Sequence, residues 1–468
     1  MAISIEQIET WMRDSESENL EFKAARSQWD SGKLNRYCVA LANEGGGRLI
    51  LGVRDERPRS VVGSNAFQDI NDIKSKIFDK LHIRVDAEEL VHPNGRVIVF
   101  TIPSRPPATP LAYEGAYLMR VGEDLVPMSP DQLRKIFNEG KPHFLEQNAL
   151  TDQSAEDVVR LLDTQIYFDL LNVPYPSERG LVLERFESEG LISSNGTAYS
   201  ITNLGALLFA KNLQNFESVK SKAPRVVVFD GKSKLRTRFD RFGRLGYIAG
   251  FERLIEYINA QLPSNELIGR VFREDVKMFP EIAIRELVAN ALVHQDLEEI
   301  GIFVSVEIYS DRVEISNPGL SPIELNRLLD SYQSRNEKMA DLMRRLRICE
   351  RQGSGIDKVI SAVENWQLPA PDFRNAEKHF TALLFSHITF SEMSKKDKIR
   401  ACYQHCGLKF LMNERMTNQT LRERFDLVNS QADIVSGIIK NTVDEGLIRL
   451  EDPGSTSKRY ARYVPFWA

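Results

Sequence analysis

Two breaks constrain this chain most. NEGKPH at 138–143 sets a glycine two residues before a proline, and SEMSKKDK at 391–398 is a polar, charged run. Both interrupt the hydrophobic patterns of helix and strand. The 468-residue chain is therefore predicted to fold in pieces, each closing a core of its own. We read four: 1–142, 143–215, 216–390 and 391–468. A hydrophobic content of 42% with 27% charged residues is ordinary for a soluble globular protein. The net charge of −5 gives no general attraction to nucleic acid, so any such contact must be local. No apolar run nears the roughly 18 residues of a membrane span. The start MAISIEQIETWMRDSESE has no signal-like pattern, and four cysteines make no disulfide framework. A cytoplasmic setting without membrane contact is expected. Cys402, His405 and Cys406 lack a second cluster of matching spacing, and helix packing is the better reading of them.

The pattern predicts an α/β and α+β multidomain protein. Residues 1–140 read as helices at 4–13, 31–44 and 69–81, with strands near 48–53 and 96–102. IPSRPPATP breaks the pattern before the strand AYLMRVG, and SPDQLRKIF offers a serine cap with proline following. Residues 150–212 read as a helical, winged-helix-like connector. From 224 the chain returns to α/β, with a hairpin around Ser310–Asp311. The tail predicts helices at 397–408, 417–425 and 429–446, then two strands about a Pro-Gly turn. That is a winged helix-turn-helix arrangement, with a net charge of about +3 over 395–468 and the flanking Glu392.

ESENLEFK at 16–23 places Glu16 and Glu21 about a turn into a strand, with Lys23 beyond, and Asp55 closes the strand RLILGV. Carboxylates gather where a hard cation such as Mg²⁺ or Mn²⁺ is held, and a neighbouring lysine offsets phosphate charge. A metal-bound water near such a group serves as nucleophile. The alternative is a solvated acidic face. NEGGG at 43–47 permits either a phosphate passing over the loop or a tight helix-to-strand turn. Lys33, Arg36, Arg48, Arg54 and Arg59 surround it as candidate phosphate contacts.

ESENLEFK followed by ALANEGGGRLILGVRDE, with YLMRVGE later, resembles the Schlafen-type (divergent Alba-like) domain over about 10–140. The resemblance implies metal-dependent cleavage of structured RNA such as tRNA, with Glu16, Glu21 and Asp55 as catalytic metal ligands and Lys23 beside them. It also implies an alternative, since many bacterial members are DNA-binding regulators. Replacing any one of the three carboxylates by alanine is expected to leave the fold intact.

IRELVANALVHQD sets Glu286, Asn290 and His294 at i, i+4 and i+8, on one helix face. Glu286 then suits a base for water and Asn290 a Mg²⁺ ligand; the plainer reading turns these polar residues to solvent. With DRVEISNPGL and ERQGSGIDKVI, the stretch 275–385 resembles the GHKL ATPase module, a Bergerat α/β sandwich. The resemblance implies ATP binding, with Asn317 and Gly319 of the NPG turn beside adenine and Gly353, Ser354 and Gly355 facing phosphate before a helix. Ser316-Asn317-Pro318-Gly319 departs from the family's Asp-Asn-Gly by lacking the carboxylate. SYQSRNEKMADLMRRLRICERQ would form the lid, its Arg344, Arg345 and Arg347 exposed on a helix face or suited to phosphate.

These readings combine into an endoribonuclease regulated by a nucleotide-binding GHKL module, with a role in antiphage or stress defence implied by family analogy. The alternative is an ATP-binding, DNA-binding transcriptional regulator without nuclease activity. GHKL modules often dimerise, so a homo-oligomer is expected.

Overall fold

The computed structural model describes residues 3–13, 17–122, 124–140, 142–196, 198–268, 273–349, 355–452 and 461–468. They divide into two compact units, Met1–Lys141 and Pro142–Ala468.

In the first unit the chain order is α1 (Ile5–Arg13), β1 (Leu20–Lys23), α2 (Ser31–Asn43), β2 (Gly47–Leu51), α3 (Ile70–Leu81), β3 (Asp86–His92) and β4 (Gly95–Ile102). β5 (Ala112–Tyr113), β6 (Ala116–Val121), β7 (Asp124–Pro127) and α4 (Pro130–Asn138) complete it. Side chains start the helices. Asp30 accepts from Lys33 N, Asp69 from Asn71 N and Asp72 N, and Ser129 and Gln132 form a reciprocal capping box around Pro130. The four-stranded sheet has the order β1-β2-β4-β3, with β1 parallel to β2 and the other pairs antiparallel. Alternation along the strands feeds two cores. Leu49, Leu51, Ile98 and Phe100 pack with α2 and α3, while Phe22, Ile50, Val97 and Val99 pack with Ile8 of α1. β5, β6 and β7 form a separate small sheet.

NEGGG serves close packing. A Cβ on Gly46, at φ +95°, would lie 2.8 Å from the Ile102 carbonyl oxygen. Buried Asn43 receives Leu111 N at 2.9 Å and donates to Leu111 O and Leu118 O. The tight-turn reading of this segment accounts for its residues.

The second unit runs β8 (Asn148–Gln153), α5 (Ala155–Leu161), α6 (Thr164–Leu171), α7 (Arg179–Ser188), β9 (Ile192–Asn195), β10 (Ala198–Thr202) and α8 (Asn203–Phe209). It continues with β11 (Arg225–Phe229), β12 (Thr237–Phe242), α9 (Tyr247–Gln261), β13 (Ser264–Ile268), β14 (Arg273–Lys277), α10 (Glu281–His294), β15 (Ser305–Ile308) and β16 (Arg312–Pro318). Then come α11 (Glu337–Arg345), α12 (Gly355–Asn365), β17 (Asp372–Ala376) and β18 (His379–Phe385). α13 (Lys395–Leu411), α14 (Asn418–Arg424), α15 (Ala432–Asp444), β19 (Ile448–Leu450) and β20 (Tyr463–Pro465) close the chain.

Its main sheet has six strands in the order β12-β11-β15-β16-β18-β17, with β11 parallel to β15. Val226, Val228, Val306, Ile308, Val313 and Ile315 alternate inward beneath α9, α10 and α12. The same core continues through α5 to α8, so 143–215 and the main sheet share one apolar interior from Leu145 to Leu384. α13, α14 and α15 pack about Cys402, Cys406, Leu421 and Ile438, beside the two-stranded β19-β20 ladder. No helix among the described residues is long and apolar enough to cross a membrane.

Candidate functional site

The acidic cluster of the first unit is assembled by strands. β1 carries Glu21 and Lys23, and Asp55 follows the end of β2. Glu21 has no solvent exposure, because the inward phase of β1 puts it beneath β6. Arg120 of β6, equally buried, forms an ion pair with Glu21 Oε2. Lys23 Nζ lies 2.7 Å from Glu21 Oε1 and 3.2 Å from Asp55 Oδ2, so one ammonium joins the two carboxylates. Burial alone would lower the Lys23 pKa; its contacts with Glu21, Tyr37 and Asp55 outweigh burial and raise it. Burial pushes the Asp55 carboxyl upward, and Lys23 more than reverses this, holding it below its usual value.

Glu16 lies outside the described residues. Both Glu21 oxygens face cations, Asp55 faces the same lysine, and no three His, Cys, Asp or Glu side chains among the described residues converge on a metal position. The described donors do not form a Mg²⁺ or Mn²⁺ site. Arg120 escaped the sequence reading; its signal was a lone cation inside the apolar strand AYLMRV. Among the flanking cations, Arg48 lies over the Trp11 ring, and Arg59 over the Phe22 ring.

In the second unit, α10 is buried nearly all round, so Glu286, Asn290 and His294 do not form a solvated stripe. Glu286 and Asn290 lie against the start of α12, and Asn290 and His294 line an open cleft. Leu287, Ala291, Ile315 and Ala382 give the cleft an apolar lining, and Asn290, His294, Asn317 and Gly355 give it polar positions. The start of α12 crosses close to α10: a Cβ on Gly355 would lie 3.0 Å from Glu286 Oε2 and 3.5 Å from Asn290 Nδ2. Glu286 Oε2 is buried with no hydrogen-bond partner among the described residues, and burial raises the pKa of this carboxyl. Burial, aided by Arg335, lowers the His294 pKa to about 4, so the ring is neutral near pH 7.

NPG is not a free turn. Asn317 and Pro318 extend β16 and pair with Phe380 and His379 of β18. Asn317 lines the cleft and donates through Nδ2 to Pro318 O at 3.0 Å. Gly319, at φ +85°, lies against Asp296 and the Arg335 guanidinium, which leaves no room for a side chain. It is not among the cleft residues. Gly353 and Ser354 lie outside the described residues, so of the glycine-rich turn only Gly355 can be placed.

The basic run of the expected lid also divides. α11 packs Met339, Leu342 and Met343 into the core, and Arg345 pairs with Glu189 through both oxygens and with Asp341. Arg344 alone of the three reaches the cleft, near Tyr332. In the tail, α15 buries Val435, Ile438 and Ile439. Its exposed residues include Asp433, Asp444 and one cation, Lys440, a weak electrostatic face for nucleic acid.

Residues 16–129 match the family model described as "Schlafen, AlbA_2", and residues 301–384 match "Putative ATP-dependent DNA helicase recG C-terminal". The second match begins after α10, so Glu286 and Asn290 lie outside it. The six-stranded sheet with its packed helices is consistent with a GHKL-type fold. None of the curated proteins matches the chain. Among solved structures, the DIP2311 protein of Corynebacterium diphtheriae is 17% identical, with 98% of this chain and 96% of that chain covered, at a TM-score of 0.43. The N-terminal domain of a putative ATP-dependent DNA helicase RecG-related protein from Nitrosomonas europaea is 19% identical, covering 31% of this chain and 99% of that one, at a TM-score of 0.20.

Proposed function

We propose that this chain, which carries a Schlafen AlbA_2 segment and a RecG-type C-terminal segment, is a nucleic-acid-binding protein whose ATPase-like module binds a nucleotide. Asn290, Asn317 and Gly355 line one largely apolar cleft, and Glu286 lies against Gly355; this arrangement carries the reading. An unpartnered buried carboxylate oxygen beside a glycine whose Cβ would crowd it at 3.0 Å fits a site built around a ligand. A nucleoside triphosphate supplies a phosphoanhydride bond there. Asn290 offers an amide oxygen to Mg²⁺, and Glu286, made more basic by burial, is suited to take a proton from water. Asn317 gives one amide N–H to Pro318 O, which fixes the side chain, and its Oδ1 is the atom that would accept from an adenine amine. The test is titration of purified protein with ATP in the presence and absence of Mg²⁺, beside Asn290→Ala. Binding that is strengthened by Mg²⁺ and weakened about tenfold or more in the variant supports the reading. An unchanged titration in Asn290→Ala removes this site from it.

A second reading, cleavage of structured RNA such as tRNA, is favoured by the meeting of Glu21 and Asp55 at Lys23. Asp55 is the informative position because its side chain is 45% exposed and its removal leaves the core untouched. The assay is incubation with total tRNA and with duplex DNA, with Mn²⁺, with Mg²⁺ and without metal. Cleavage by the parent protein that disappears in Asp55→Ala, with an unchanged melting curve, favours a nuclease. Nucleic-acid binding without cleavage under any condition leaves the binding protein alone.

A further inference from the structure

β12 is an outer strand of the six-stranded sheet. The stretch that leads into it, forms it and leaves it, GKSKLRTRFDRFGR at 231–244, holds Lys232, Lys234, Arg236, Arg238, Arg241 and Arg244 against a single acid, Asp240. Part of that charge is neutralised locally. Lys232 meets Asp311 at 3.6 Å, Lys234 meets Glu307 at 2.7 Å, and Asp240 is engaged by Arg225 at 2.6 Å. The four arginines of the stretch have no carboxylate partner among the described residues, and neither does Arg253 of α9. All five are exposed.

Arg241, Arg244 and Arg253 line one cleft between β12 and α9, and its lining contains no carboxylate. Val226, Leu254 and Leu292 give it apolar surface. The Arg241 guanidinium lies 5.6 Å from the centre of the Tyr257 ring, and Phe242, which also lines the cleft, is 47% exposed. Guanidinium groups gathered without an acid, in a chain whose net charge is −5, form a local anion site that overall charge does not explain. Aromatic rings beside such a site add surfaces for flat, apolar groups.

We propose that this cleft and the arginine edge of β12 bind single-stranded nucleic acid, phosphates on the arginines and an unpaired base against Tyr257 and Phe242. A duplex keeps its base faces stacked, so it offers phosphates to the arginines and nothing to the cleft. This contact rests on the nucleic-acid-binding reading above and places a binding surface in the Pro142–Ala468 unit, separate from the Glu21–Lys23 cluster.

The test is fluorescence anisotropy of the full chain with a labelled oligonucleotide, single-stranded and as the matched duplex, between about 50 and 200 mM salt. Arg241→Ala/Arg244→Ala/Arg253→Ala should weaken single-strand binding at least tenfold and make the log–log salt slope shallower by roughly 0.7 for each lost phosphate contact. Tyr257→Ala should weaken binding and leave the slope in place. Lys232→Ala/Lys234→Ala, which removes paired cations, should change little. Wild-type affinity and slope in the triple-arginine variant would overturn the proposal while leaving binding through the first unit standing. Equal affinity for duplex and single strand would overturn the single-strand assignment. Absence of any nucleic-acid binding by the parent chain would defeat both this surface and the reading it rests on.

Discussion

Glu21 and Arg120 are both fully removed from solvent, so each supplies the other's compensation. Breaking a buried pair from one side typically costs about 3–5 kcal/mol, because the remaining charge stays buried. Arg120→Met should lower stability on that scale, and Glu21→Ala should do likewise, against the sequence-based expectation that an alanine here spares the fold. Glu21→Gln/Arg120→Met should recover much of the loss, as read from urea midpoints at constant slope. His294 and Asp357 give pH signatures of opposite sign. His294 is lowered to about 4 by burial, so its contribution is present above its ordinary 6.5 and is lost as pH falls through about 4. Asp357 is raised by burial to about 6 from its ordinary 3.8, so its contribution is present below 3.8 and is lost as pH rises through about 6. Asp357→Asn should therefore raise the melting temperature above pH 6 and leave it unchanged near pH 3.5. Thermal melts across that range check the sign, and a gain confined to acid pH would refute it.

At the scale of elements, α12 joins two parts of the second unit. It begins at Gly355 against Glu286 and ends near Glu364, whose carboxylate meets His405 Nδ1 at 3.0 Å and Arg424 Nε at 3.4 Å. Arg424 is almost fully buried and also donates to Leu368 O at 2.6 Å. Glu364→Leu leaves that guanidinium uncompensated and should destabilise by about 3–5 kcal/mol, with faster hydrogen exchange in α13 and α14 than in α10. Exchange that quickens equally everywhere would mean that Glu364 does not act locally. The elements themselves were legible because caps and periodicity are local. Ser129 caps α4 as its sequence announces, while Asp69 and Ser394 cap α3 and α13 within a few residues of the helix starts expected at 69 and 397. What was not legible depends on chain crossings. Arg120 reaches Glu21 from another sheet, Arg335 closes over Gly319, and the surroundings of α10 bury the polar residues that a helical wheel would turn to water. The unpaired arginines of β12 were visible as residues, but telling them from Lys232 and Lys234 required knowing where Asp311 and Glu307 lie.

For the whole molecule, the apolar clusters respect the division at residue 141. Two lie within Met1–Lys141, around Phe100 and around Phe22, and two within Pro142–Ala468, around Phe251 and around Cys402. No core residue of one cluster is shared across the division, so each unit carries the apolar burial that a cooperative fold requires. Expression as two fragments, ending at Lys141 and beginning at Pro142, should give two folded proteins with separate cooperative transitions. A ligand that binds only the folded state adds RT ln(1 + [L]/Kd), about 2.7 kcal/mol at one hundred times Kd. ATP with Mg²⁺ should therefore raise the melting temperature of the Pro142–Ala468 fragment by a few degrees and leave the Met1–Lys141 fragment where it was. The same shift should be absent in Asn290→Ala. Failure of the second fragment to fold alone would show that its stability depends on the first unit despite separate cores. A shift confined to the first fragment would move the nucleotide site away from the α10–α12 cleft altogether.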